Sequence, residues 1–148
     1  MIYTVGEMAK KIGVAPSTLR YYDKEGLLPF VERSSGGIRV FKEADYEWLK
    51  VIECLKKTGM PLKDIKTFIE MAMLGDETID ERLELIRKQR DEVGKQIADL
   101  QETMDTLNFK CWYYETAKSA GTTAVPRNMT LEELPEEYRE IRVKLRGE

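Results

Sequence analysis

With 148 residues and 34% charged side chains, the chain has room for one ordinary domain plus an extended element. It contains no histidine, and its two cysteines, Cys54 and Cys111, share no repeated spacing; this excludes a four-ligand zinc site or a disulfide framework within one chain, and no metal or other cofactor is expected. The net charge of −3 is unevenly spread, because residues 1–66 hold 12 Lys and Arg against 9 Asp and Glu, a net +3, which leaves 12 against 18, or −6, for residues 67–148.

The N-terminus MIYTVGEMAKKIG has neither a basic leader nor a continuous apolar run, and no stretch approaches the roughly 18 apolar residues of a membrane span. A reduced, cytoplasmic protein without membrane contact is therefore expected. Thr4 and Glu7 have the spacing of a capping box and open a short helix whose stripe is Val5, Met8, Ala9 and Ile12, with Gly13 as its stop. Pro16 is suited to the first turn of a second helix, which runs to about Glu25 and ends at Gly26.

On that second helix Leu19 and Tyr22 face inward, which leaves Ser17, Thr18, Arg20, Tyr21 and Lys24 on the outer side. Outward hydroxyls, cations and an aromatic ring on a short helix are what a DNA major groove accepts, through base edges and phosphates. A solvated amphipathic helix has a similar pattern. The segment Pro29 to Phe41 reads as a hairpin wing around Ser34-Ser35-Gly36-Gly37, with Arg33 and Arg39 placed for phosphates or a minor groove.

A third helix is predicted from about Lys42 to Lys57 and a fourth from Pro61 to Leu74, with the domain boundary at Gly75-Asp76. From Ile79 the apolar positions Leu83, Ile86, Val93, Ile97, Leu100, Met104, Leu107, Cys111 and Tyr114 alternate at spacings of four and three, interrupted only by Arg90. Such a heptad seam needs a partner helix. A second copy is the economical partner, in either parallel or antiparallel orientation, because an intramolecular partner at residues 130–145 is short by comparison. Residues 118–128 read as a loop, followed by a short helix started or broken near Pro135.

The expected fold is thus mainly α: a winged helix-turn-helix over residues 1–75, a long dimerisation coiled-coil helix over 76–118 and a C-terminal tail with a short helix over 119–148. Catalysis is not expected, since histidine, a Gly-rich phosphate loop and an acid pair in an evident pocket are all missing. A coiled-coil adaptor that never touches DNA is the rival class, but it leaves the placement of Arg20, Arg33 and Arg39 unexplained.

The strings Leu19-Arg20-Tyr21-Tyr22-Asp23, Gly26-Leu27, Pro29, Arg33 and Gly37-Ile38-Arg39-Val40-Phe41 occur in this order, and with FKEADYEWLKVIECLKKTGMPLKDI they resemble the MerR family of transcription regulators over about the first 75 residues. The resemblance implies a homodimer on a palindromic operator in double-stranded promoter DNA, distorting an overlong spacer so that RNA polymerase is affected indirectly. It implies DNA contacts from Ser17, Thr18, Arg20 and Tyr21, from Arg33 and Arg39 of the wing, and from Lys63. Ile38 and Phe41 depart from the family's frequent tyrosines.

For the effector, the resemblance offers two places. Cys54 stands where the aldehyde- and nitrosative-stress branch keeps a reactive cysteine, and Lys50, Lys56 and Lys57 lie nearby in sequence to favour its thiolate. Metal-sensing members pair cysteines at the end of the long helix, whereas here no second cysteine follows Cys111, which fits a small hydrophobe on the seam. The cluster Trp112, Tyr113 and Tyr114 fits either packing or a small organic ligand.

Overall fold

A computed structural model describes residues 1–146 of the chain. The elements in order are β1 (Ile2–Tyr3), α1 (Val5–Ile12), α2 (Pro16–Lys24), β2 (Glu32–Arg33), β3 (Arg39–Lys42), α3 (Glu43–Lys57), α4 (Leu62–Leu74), a single 3-10 turn (Asp76–Thr78), α5 (Ile79–Ala120), α6 (Ala124–Asn128) and α7 (Glu136–Arg146). Two compact units divide the chain, Met1–Val93 and the residues from Gly94 onward. No helix among the described residues is long and apolar enough to cross a membrane.

In the first unit the local signals act as expected. The Glu7 amide donates to Thr4 Oγ1 at 3.2 Å and the Thr4 amide donates to Glu7 Oε2 at 2.8 Å, closing the capping box of α1. These bonds hold the Glu7 carboxyl below its usual value. Pro16 opens α2 after an extended Ala15. The core joins Met8, Leu19, Tyr22, Leu27, Phe41, Leu49, Ile52, Ile65 and Ile69, so α1, α2, β3, α3 and α4 share one buried interior.

The sheet has the order β1-β3-β2 with antiparallel pairs throughout. β1 was not anticipated: it is only two residues long, and it exists because Ile2 and Tyr3 align with Lys42 and Phe41 of β3. The Tyr3 hydroxyl donates to Glu43 Oε2 at 2.6 Å, and Lys11 also binds that carboxylate, at 2.5 Å, which ties β1 and α1 to the start of α3.

Gly75, at the expected domain boundary, ends α4 with a positive φ of 96°, a conformation open to glycine. The N-terminal unit nevertheless continues into α5. Leu85 packs against its core, and the Gln89 side-chain amide donates to the Thr58 carbonyl at 2.7 Å.

In the second unit α5 carries the seam on one face and α7 on another. Tyr138 of α7 packs against Phe109 and Trp112 at ring-centroid distances of 5.8 and 5.6 Å, and Lys144 pairs with Glu102. The tail helix therefore does return onto α5, yet it leaves Ile97, Leu100, Met104 and Leu107 exposed. The segment read as a loop over residues 118–128 contains α6, a single turn of helix whose Pro126 is buried.

Candidate nucleic-acid interface

α2 is held rigidly from behind. The buried Tyr22 ring brings its hydroxyl to α3, where it donates to Glu53 Oε1 at 2.7 Å and accepts from Lys56 Nζ at 2.9 Å. Burial, with the Glu53 bond, raises the Tyr22 hydroxyl above its ordinary value, so it stays protonated and able to donate. Leu19 is fully buried one turn earlier.

With that side fixed, the other is presented outward. Ser17, Arg20 and Tyr21 are exposed and Thr18 is half-buried, as expected from their spacing. Among the described residues Arg20 makes no ion pair or hydrogen bond, so its five donors are available in a fork suited to guanine edges or phosphates. Lys63 is also exposed, in the first turn of α4.

The wing carries both predicted cations, and each is engaged within the fold. The turn closes with the Ser34 amide donating to the Ile38 carbonyl at 2.8 Å and the Gly37 amide to the Ser34 carbonyl at 2.9 Å, with Gly37 at φ 78°. Arg33 and Arg39 then converge on the same carboxylate, Asp23 Oδ2 of α2, at 2.8 and 2.5 Å. Arg33 also donates to the Gly37 carbonyl at 2.9 Å.

Asp23 thereby links the outward helix to the wing, a role that sequence reasoning missed although the residue lies inside the quoted motif. The acid partly neutralises both arginines. Arg33 keeps about half of its side chain in solvent, whereas the Arg39 side chain is 23% exposed and its Nε is buried without an acceptor. Phe30 stacks on Trp48 of α3 at 5.9 Å and supports the wing from its other end.

Asp23→Asn is expected to loosen this coupling. Because the pair is partly exposed, the loss is about 1 kcal/mol, roughly fivefold in binding to a specific site. Binding to random DNA should show a steeper salt dependence at the same time, as the released arginines gain phosphate contacts. Fluorescence anisotropy with specific and scrambled duplexes over a salt series measures both effects.

The sensing candidates separate. Cys54 is exposed on α3 in the N-terminal unit, and the Lys56 amine next to it is engaged by Tyr22 rather than left for the thiol. Trp112 and Tyr113 belong to the second unit, packed in the Phe109 and Tyr138 cluster, and Tyr114 is exposed at 61%. Cys111 is also exposed, on the seam face of α5.

Comparison with known proteins bears on this geometry directly. The family model described as MerR HTH family regulatory protein matches residues 3–72, and that described as MerR, DNA binding matches residues 46–108. A helix-turn-helix-type transcriptional regulator of Haemophilus influenzae is 46% identical over 136 residues, spanning 92% of this chain and 98% of the relative.

Among solved structures, HiNmlR, a MerR family regulator lacking the sensor domain and bound to promoter DNA, is 48% identical with a TM-score of 0.67, covering 84% of this chain and 99% of its own. A MerR family regulator from Bacillus thuringiensis is 42% identical with a TM-score of 0.63, covering 75% of this chain and 97% of its own. The shared sequence spans both the outward helix with its wing and the long helix that follows, and the chain belongs to the MerR family of helix-turn-helix, DNA-binding transcription regulators.

Proposed function

We propose that two copies of the chain, joined along the α5 seam, bind a palindromic promoter operator and distort it so as to control RNA polymerase. The observation that carries the reading is the outer face of α2: Ser17, Tyr21 and an ion-pair-free Arg20 exposed on a helix fixed to α3 through Tyr22. The promoter-bound state of the similar HiNmlR supports it.

In this reading α2 enters the major groove, where Arg20 reads a guanine edge or grips a phosphate while Ser17, Thr18 and Tyr21 fix register on the backbone. Arg33 adds a phosphate contact through the exposed part of its guanidinium, Arg39 acts chiefly by holding the wing against Asp23, and Lys63 is a further phosphate contact. The seam supplies the second half-site reader. Bending a site of operator length costs on the order of 1–6 kcal/mol, which the contacts of two linked units can offset.

A mobility-shift assay with promoter fragments from the chain's own genome, run at several salt concentrations, tests the proposal. One or a few fragments should be retained as salt rises while the remainder are released. Release of every fragment together would sink the DNA reading and favour the adaptor class.

A further inference from the structure

The second unit contains a cavity of about 300 Å³ lined by Phe109, Lys110, Tyr113 and Tyr114 of α5, Pro126 of α6, and Arg142, Leu145 and Arg146 of α7. Three of these side chains are cationic, and among the described residues no carboxylate lines the space. Arg142 is 6% exposed, so its charge is held out of water. Its Nη2 donates to the Arg127 carbonyl at 2.9 Å, but its Nη1 is buried without an acceptor.

Arg146 also donates to the Arg127 carbonyl, at 2.8 Å, so two guanidinium groups meet at one neutral oxygen. That carbonyl lies in the last turn of α6, and capping it accounts for one donor from each arginine. Capping does not account for the orphan Nη1, or for Lys110 lining the same cavity with no carboxylate among the described residues around it. A buried arginine normally has a carboxylate or phosphate partner, because a charge held out of water is costly until an anion joins it.

The other walls are apolar and aromatic. Phe109 and Tyr113 are held in place by contacts with each other and with Trp112 and Tyr138, so the surface is formed before any ligand arrives. A few polar groups converging on a largely apolar, preformed cavity are the ordinary make-up of a small-molecule site, and this volume lies at the small end of that range.

We propose that this cavity binds a small organic carboxylate, its apolar or aromatic body against Phe109, Tyr113 and Pro126 and its carboxylate on Arg142, with Arg146 and Lys110 at the mouth. The fork of a guanidinium matches a planar carboxylate in a two-bond contact. A bare inorganic anion would leave the aromatic wall unused, and a neutral ring would leave Arg142 unpaired.

Isothermal titration of the full chain, without DNA, with phenylacetate and with hexanoate tests the proposal, using benzyl alcohol and inorganic phosphate as controls. At least one carboxylate should bind saturably, one per chain, and raise the melting temperature, while both controls bind at least tenfold more weakly. Since Arg142 and Arg146 both staple α7 to α6 through the Arg127 carbonyl, the deciding variants are Lys110→Gln and Lys110→Glu, at an exposed position outside that contact. Each should weaken binding about tenfold or more by removing one charge-assisted hydrogen bond, with circular dichroism unchanged. No saturable binding of either carboxylate at millimolar concentration, equal binding of benzyl alcohol, or affinity indifferent to both variants would overturn the site. Any of these results leaves the DNA-binding reading standing, because DNA takes no part in the measurement.

Discussion

Leu100→Asp is expected to turn the protein into a monomer and to weaken operator binding by roughly a hundredfold or more. Leu100 is 69% exposed in the single chain, next to Ile97 at 63% and Met104 at 52%. Covering one such side chain contributes about 1.5–3 kcal/mol, and in the proposed dimer the seam would repeat the contact several times on each of two copies. An aspartate there places an unpaired carboxylate in the interface from both sides, so the effect is repulsion and desolvation as well as lost burial.

The loss on DNA follows from linkage. Two joined units bind two half-sites with an avidity of about 10²–10⁴ over one unit, and a monomer forfeits that factor. Because Leu100 is largely solvent-exposed in its own chain, the helix content and the melting of the N-terminal unit should stay close to wild type. Sedimentation velocity reads the mass and anisotropy reads the affinity. A variant that stays dimeric with unchanged affinity would remove the seam from the account.

Arg20→Ala carries the next largest effect, a loss of about 1–3 kcal/mol in specific binding, or roughly tenfold to a hundredfold. The side chain is exposed and has no internal partner among the described residues, so folding stability should change by less than about 0.5 kcal/mol. This separates it from substitutions behind the helix, such as Tyr22, where binding and stability would fall together. If Arg20 reads a base, the preference at one position of each half-site relaxes. If it grips a phosphate, affinity falls alike for all sequences and the salt slope becomes shallower by about 1. Affinity equal to wild type on every duplex would displace α2 from the groove.

Much of this was legible in the sequence, for reasons that differ by element. The capping box of Thr4 and Glu7, Pro16 at a helix start and the Leu19–Tyr22 pair are local signals whose chemistry acts within one or two turns, so α1 and α2 fall where the spacing puts them. The long helix α5 and its exposed apolar stripe were readable because period alone defines them. β1 was not, because two residues contain no period and their pairing with β3 is decided some forty positions away.

The double ion pair on Asp23 illustrates the same limit at the site. Arg33 and Arg39 signal positive charge in sequence, but only the folded wing shows that both spend part of it on α2. α6 is too short for a periodic pattern, and Pro126 within it reads as a loop residue. Arg142 was also hidden, since nothing in a charged helix such as EEYREIRVKLR marks which arginine will be buried once α7 meets α5.

Whether a dimer reads two related half-sites is decided by the mass of the protein–operator complex. Sedimentation equilibrium of the purified complex on the retained promoter fragment should give two chains per duplex, with hydroxyl-radical protection falling in two patches related by a twofold axis. A complex of one chain per duplex with a single protected patch would contradict it.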